Sequence, residues 1–213
     1  MPDTVANNSR LAVFPLNTVL LPGCVLPLRI FESRYLDMVS ASLRDGKPFV
    51  IVQARADGSG DQDVADSGDI ANSLHFFNTG CEAEVVDFDR ADDGVLSILV
   101  RGRSRVQLSE SRQQSNGLWT ASADPLPEWG ALPDDTVPSL RDLLNQLLQH
   151  DQTKRLLDWI SLDDQEAVMN HLVMLLPLSK TLKQALLEAD DLAIRWQGIE
   201  DAIDRLEAQG AAS

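Results

Sequence analysis

The hydrophobic pattern changes period near residue 130. Before it, apolar residues come in short runs and alternations of two; after it they recur at steps of three and four. Leu11 to Phe14 is a short apolar run ended by Pro15. Pro22-Gly23 suits a type II turn, since proline fixes φ and glycine accepts a positive one. Val25 to Phe31 then reads as a strand with Leu26, Leu28 and Ile30 on the core face and Val25, Pro27, Arg29 and Phe31 opposite. Pro27 has no N–H to give a ladder, which places this strand at an open edge or a bulge.

Ser33 is the expected N-cap of a helix carrying Tyr35, Met38, Val39 and Leu43, closed by Gly46. Pro48 to Arg55 predicts a strand buried on both faces. From Ala56 to Thr79 the pattern dissolves into an acidic, solvated loop. Strands return after Gly80, with a turn at Asp92-Asp93-Gly94, an interruption at Gly102, a resumption over Val106 to Leu108 and a last strand from Leu118. Short strands with one early helix predict a small barrel or folded sheet. Pro125, Pro127 and Pro133 mark a linker.

Beyond the linker the pattern is helical. Val137, Leu140, Leu144, Leu147 and Leu148 form one stripe, and Leu156, Leu157 and Ile160 a shorter one. Asp163-x-x-Glu166 resembles a capping box for a helix with Val168, Leu172 and Leu175 inward, ended by Pro177. Ser179 caps a helix bearing Leu182, Ala185 and Leu186, and Asp191 one bearing Leu192, Trp196, Ile199, Ile203 and Leu206. The expected class is α+β: a β-rich domain over 1–127 and an all-α helical bundle over 128–213.

Charge narrows the partners. Against 18 Lys+Arg stand 33 Asp+Glu, a formal net charge of -15, while 44% apolar and 24% charged residues are ordinary for a globular chain. Residues 1–127 hold 11 bases and 17 acids, and the remainder 7 and 16, so neither part is basic. Such a field repels nucleic-acid backbones and anionic membranes. Leu11 to Leu28 is long enough to span a bilayer, but Pro15, Pro22 and Pro27 exclude a membrane helix. The first ten residues lack a signal-peptide pattern, and two distant cysteines fit a reduced, cytoplasmic protein.

Candidate chemistry is sparse. Cys24 and Cys81 have no base nearby in sequence and read as packing residues. His75, His150 and His171 share no metal-ligand spacing. Asp57, Asp61, Asp63, Asp66 and Asp69 offer oxygen ligands without the EF-hand pattern, so a solvated loop is expected there. Ser179-Lys180 reads as a helix cap, not a catalytic dyad. Arg29 is read as an ion-pair partner of Glu32 or Asp37, and Arg101, Arg103 and Arg105 as a basic cluster that the chain's acids neutralise. Leu20, Leu21 and Pro22 precede the turn; burial is the commoner fate for such residues, and as an exposed patch they would instead be a candidate contact for an extended apolar peptide.

The stretch Phe14 to Tyr35, F-P-L-x-x-V-x-L-P-G-x-x-L-P-L-x-I-F-E-x-R-Y, closely resembles the opening of the Lon-protease N-terminal domain family. Its motif positions here are Pro15, Leu16, Pro22, Gly23, Pro27, Leu28, Ile30, Phe31, Glu32, Arg34 and Tyr35. The blocks G-C-E-A-E-V-V-D-F and G-V-L-S-I-L-V-R-G-R-S-R-V, and the closing L-P-L-S-K-T-L-K-Q-A-L-L-E, resemble later family segments, although Cys81-Glu82 replaces a more apolar pair. The resemblance implies a PUA-like β domain followed by helices, and a part in holding unfolded polypeptides. No G-x-x-x-x-G-K-[ST] is present. The expected function is a non-catalytic polypeptide- or protein-binding module, without cofactor, metal or membrane contact. RNA binding, which PUA-related folds imply, is the alternative that the charge disfavours.

Overall fold

In the computed structural model, which describes residues 10–55, 76–90, 94–128, 137–149, 159–160, 162 and 164–210, the period-two half forms strands around an early helix. The order is β1 (Leu11–Leu16), β2 (Val25–Ile30), α1 (Ser33–Asp45), β3 (Phe49–Ala54), β4 (Phe76–Arg90), β5 (Leu96–Gln113) and β6 (Trp119–Pro125). Four helices follow: α2 (Val137–Leu148), α3 (Gln165–Leu175), α4 (Lys180–Glu188) and α5 (Leu192–Gly210). No helix among the described residues is long and apolar enough to cross a membrane.

The strands close on themselves. β1 pairs in parallel with β3 and antiparallel with β6; β6 pairs with β5, β5 with β4, and β4 with β3. Five strands thus make a barrel, and β2 lies outside it on the first half of β5, from Val25↔Arg101 to Ile30↔Leu96. Alternation sorts the side chains between two cores. Leu11, Val13, Val50, Val52, Phe76, Val106, Leu108 and Ala121 fill the barrel. Phe14, Phe49, Ile51, Cys81, Ala83, Ile98 and Val100 point outward into a second cluster with α1 and the helical half. This is why β3 is apolar from Phe49 to Val52 and buried through Gln53: its two faces serve two cores. Leu140, Leu144, Leu148, Val168, Leu172, Leu186 and Ile199 belong to that second cluster, so one apolar body joins the strands to the helices.

Several expectations change in detail. Phe76 to Thr79 open β4 instead of closing the acidic loop. Gly102 does not interrupt β5: a Cβ there would sit 2.3 Å from the Leu21 carbonyl oxygen and 3.0 Å from Cys81 Sγ, so glycine lets the turn before β2 press on the strand. Val25 is buried in the core, whereas Leu26 and Leu28 are only partly covered. Ser33 does not cap α1; Glu32 is the N-cap, without a side-chain cap bond, and Gly46 (φ 64°) ends the helix as expected. Leu43 and Ala185 are exposed. The cap of α3 is Asp164, one residue later than the box implied, accepting from Glu166 and Ala167 N–H at 3.0 and 3.2 Å. Ser179 and Asp191 do cap α4 and α5.

Candidate functional site

The opening motif wraps a groove of about 400 Å³. The ends of β1, β2 and β3 deliver Pro15 and Leu16, Phe31, and Ala54 and Arg55; the start of α1 supplies Glu32, Arg34 and Tyr35, and β6 supplies Trp119. Its floor is the ring pair Phe14 and Tyr35, centroids 4.2 Å apart, with Phe49 packed behind Phe14 at 6.3 Å. At its rim Phe31 is 76% exposed, a large aromatic that water does not favour. β2 ends at Ile30, whose side chain anchors in the core, and the next residue is left outside.

Arg34 fixes one wall. Its guanidinium pairs with Glu32 at 2.7 Å, donates to the Gly117 carbonyl at 2.9 Å and lies 4.6 Å from the Tyr35 ring centroid. Gly117 has φ 83°, and a Cβ there would meet Arg34 Nη1 at 3.1 Å. Glu32 is thus held by Arg34. Arg29 is exposed and lines the groove. Arg55 Cζ lies over the Phe77 ring, 4.9 Å from its centroid, and its Nε is buried without a hydrogen-bond partner among the described residues.

The candidate contact patch at Leu20, Leu21 and Pro22 is not exposed, and burial, the commoner fate, is what the structure shows for the two leucines. Leu20 and Leu21 are 1% and 0% exposed, and only Pro22 remains half-buried. The cause is a turn clasped on both sides. Gly23 N–H donates to Gly102 O and Gly102 N–H to Cys24 O, both at 2.9 Å, while Asn170 of α3 donates to Pro22 O at 2.9 Å. Pro22 borders a smaller cleft of about 230 Å³ with Arg103, Glu128 and Glu166, where strands meet helices. Burial raises the Glu166 pKa, with Arg195 opposing.

Other chemistry-bearing residues serve the framework. Burial pushes both thiols up, Cys24 and Cys81 alike, which disarms them as nucleophiles. His171 Nδ1 donates to Ala167 O at 2.7 Å, and burial lowers its pKa. No group of three His, Cys, Asp or Glu suited to a metal occurs among the described residues. The aspartates from Asp57 to Asp69, His75 and His150 lie outside the described residues. The arginines of β5 diverge: Arg101 lies over the Trp159 ring, Arg103 pairs with Glu84 at 3.0 Å, and Arg105 turns inward. Arg105, 3% exposed, donates to Leu187 O, Ala189 O and Pro127 O at 3.0, 3.1 and 2.7 Å.

A fully buried Arg195 extends this polar seam, donating to Leu186 O at 2.8 Å and Asn170 Oδ1 at 2.6 Å. The sequence reading missed Arg195, Asn170, Ala54, Arg55 and Trp119. One signal was legible for the seam: Asn170 and His171 sit side by side in a helix whose neighbours are apolar.

The model of the ATP-dependent protease La (LON) substrate-binding domain matches residues 10–205, nearly the whole chain. The chain belongs to the LON substrate-binding domain family. Among solved structures it is similar to a Lon N-terminal domain protein from Xanthomonas campestris, at 29% identity and TM-score 0.62, covering 94% of this chain and 98% of that one. The N-terminal domain of a Lon protease from the Mycobacterium avium complex shares the fold at 20% identity and TM-score 0.61, covering 91% and 97%. Lon protease 1 of Bdellovibrio bacteriovorus is 26% identical over 202 residues, 91% of this chain and 24% of that protein. This LON substrate-binding domain therefore spans about a quarter of the curated relative it matches. Of its family motif, Phe14, Pro15, Leu16, Ile30, Phe31, Glu32, Arg34 and Tyr35 line the groove.

Proposed function

We propose that this chain is a non-catalytic module that binds polypeptides, and that it does so in the groove of the opening motif. The observation that carries the reading is Phe31, 76% exposed at the mouth of a groove floored by aromatic rings. Extended segments of unfolded proteins offer the alternating apolar side chains that such a groove takes up. Within the motif, Pro15, Leu16, Phe31 and Tyr35 are assigned to contact and Arg34 and Glu32 to holding the wall. Pro22, Gly23, Pro27, Leu28 and Ile30 are assigned to the scaffold.

We assign 1–127 to the β-rich, PUA-like part and 128–213 to the helical part, whose role is to brace the Pro22-Gly23 turn through Asn170 and Arg195. The setting proposed is a reducing cytoplasm, consistent with two buried free thiols. The test is fluorescence titration with a permanently unfolded, S-alkylated polypeptide. Saturable binding that weakens roughly tenfold in Phe31→Ser, the loss expected when an interface aromatic is removed, supports the proposal. Absence of association with the wild-type chain overturns it.

A further inference from the structure

Charge is distributed against the trend in this groove. A chain of net charge -15 places Arg29, Arg34 and Arg55 around one apolar groove, with Glu32 as the acid among its lining residues. Glu32 is already taken by Arg34, at 2.7 Å. Arg34 is further spent on Gly117 O and the Tyr35 ring, so its role is to hold the wall.

Arg55 is built differently. Its guanidinium carbon lies 4.9 Å from the Phe77 ring centroid, a cation–π contact that uses the ring face and no hydrogen-bond acceptor. Its Nε is buried with no acceptor among the described residues, a cost that a bound acceptor removes. A guanidinium fork fits a carboxylate through two parallel N–H···O bonds. Arg29 adds positive potential from the end of β2.

We infer that the groove selects apolar polypeptide segments bearing a carboxylate, from an aspartate, a glutamate or a chain terminus, which docks at Arg55 with Arg29 in support. This rests on the groove being the polypeptide site and adds a rule for choosing among segments. In a strongly acidic protein the same two arginines offset the repulsion that an acidic segment otherwise meets.

The experiment is a pair of fluorescent twelve-residue peptides of identical aromatic-aliphatic sequence, one with two glutamates and an amidated end, the other with two glutamines. Both are titrated into the full chain at low and at 0.5 M salt. The glutamate peptide is expected to bind about tenfold tighter at low salt, with the gap narrowing at high salt. In Arg55→Gln and in Arg29→Ser the ratio between the peptides falls toward one. Arg44→Gln, an equal charge change on the exposed far end of α1, keeps the wild-type ratio.

Equal binding of both peptides by the wild type overturns the carboxylate rule while the groove reading stands. Binding of neither overturns both. A short single-stranded RNA that binds tighter than the glutamate peptide and competes with it also overturns the rule, because the arginines then answer to phosphate.

Discussion

Gly102 shows how one missing Cβ shapes the molecule. The strand carries on through it because the Leu21 carbonyl oxygen would lie 2.3 Å from an added methyl, and that atom is backbone. Gly102→Ala is therefore expected to lower stability by about 3 kcal/mol, at the upper part of the overpacking range, read as a shift of the urea midpoint. His171 makes a second residue-scale prediction. Its Nδ1–H is given to Ala167 O and its Nε2 is buried without a partner among the described residues, so the folded protein holds the ring neutral. Its folded pKa lies below the ordinary 6.5, so the unfolded chain binds the proton more readily. Stability from this group is complete above pH 6.5 and is lost as pH falls through 6.5 toward the folded value. Denaturation measured across pH 5 to 8 should show this slope in the wild type and a shallower one in His171→Leu.

At the scale of elements, caps separate what the sequence shows from what packing decides. Asp164 accepts two N–H groups at the start of α3, whereas Ser33, the expected cap of α1, gives no side-chain cap bond. Asp164→Ala should cost about 1 kcal/mol and Ser33→Ala a few tenths at most, by thermal unfolding. Barrel and helices were readable because period two and steps of three and four report which face is buried. What stayed hidden was which core each face meets. Val25 looked like a solvent-facing neighbour of Pro27, yet β2 lies outside the barrel and Val25 is covered. Leu20 and Leu21 looked like a candidate contact surface, and their burial depends on Gly102 and Asn170, which clasp the Pro22-Gly23 turn from far along the chain. Phe31 read as one more outward residue of β2, because the place where that strand stops is set by the turn into α1.

For the whole molecule, polar groups buried between strands and helices fix how the two halves meet. Arg105 of β5 reaches three carbonyls at the end of α4 and beyond β6, and Arg195 of α5 ties α4 to α3. The shared apolar cluster makes the halves one cooperative body. Wild-type unfolding should be a single transition followed equally by near- and far-ultraviolet circular dichroism. Arg105→Leu strands those carbonyls without a donor and should cost about 3 kcal/mol, with the two probes drawing apart as the helical half loosens first.

Amide-resolved NMR of the chain titrated with an unfolded aromatic-aliphatic peptide asks most directly where polypeptide lands. Binding in the groove predicts the largest saturable shifts at Leu16, Phe31, Ala54, Arg55 and Trp119, with Leu20, Leu21 and the Gly23 turn little changed. Shifts centred on the cleft beside Pro22 and Glu166, or no saturable shifts at all, would contradict it.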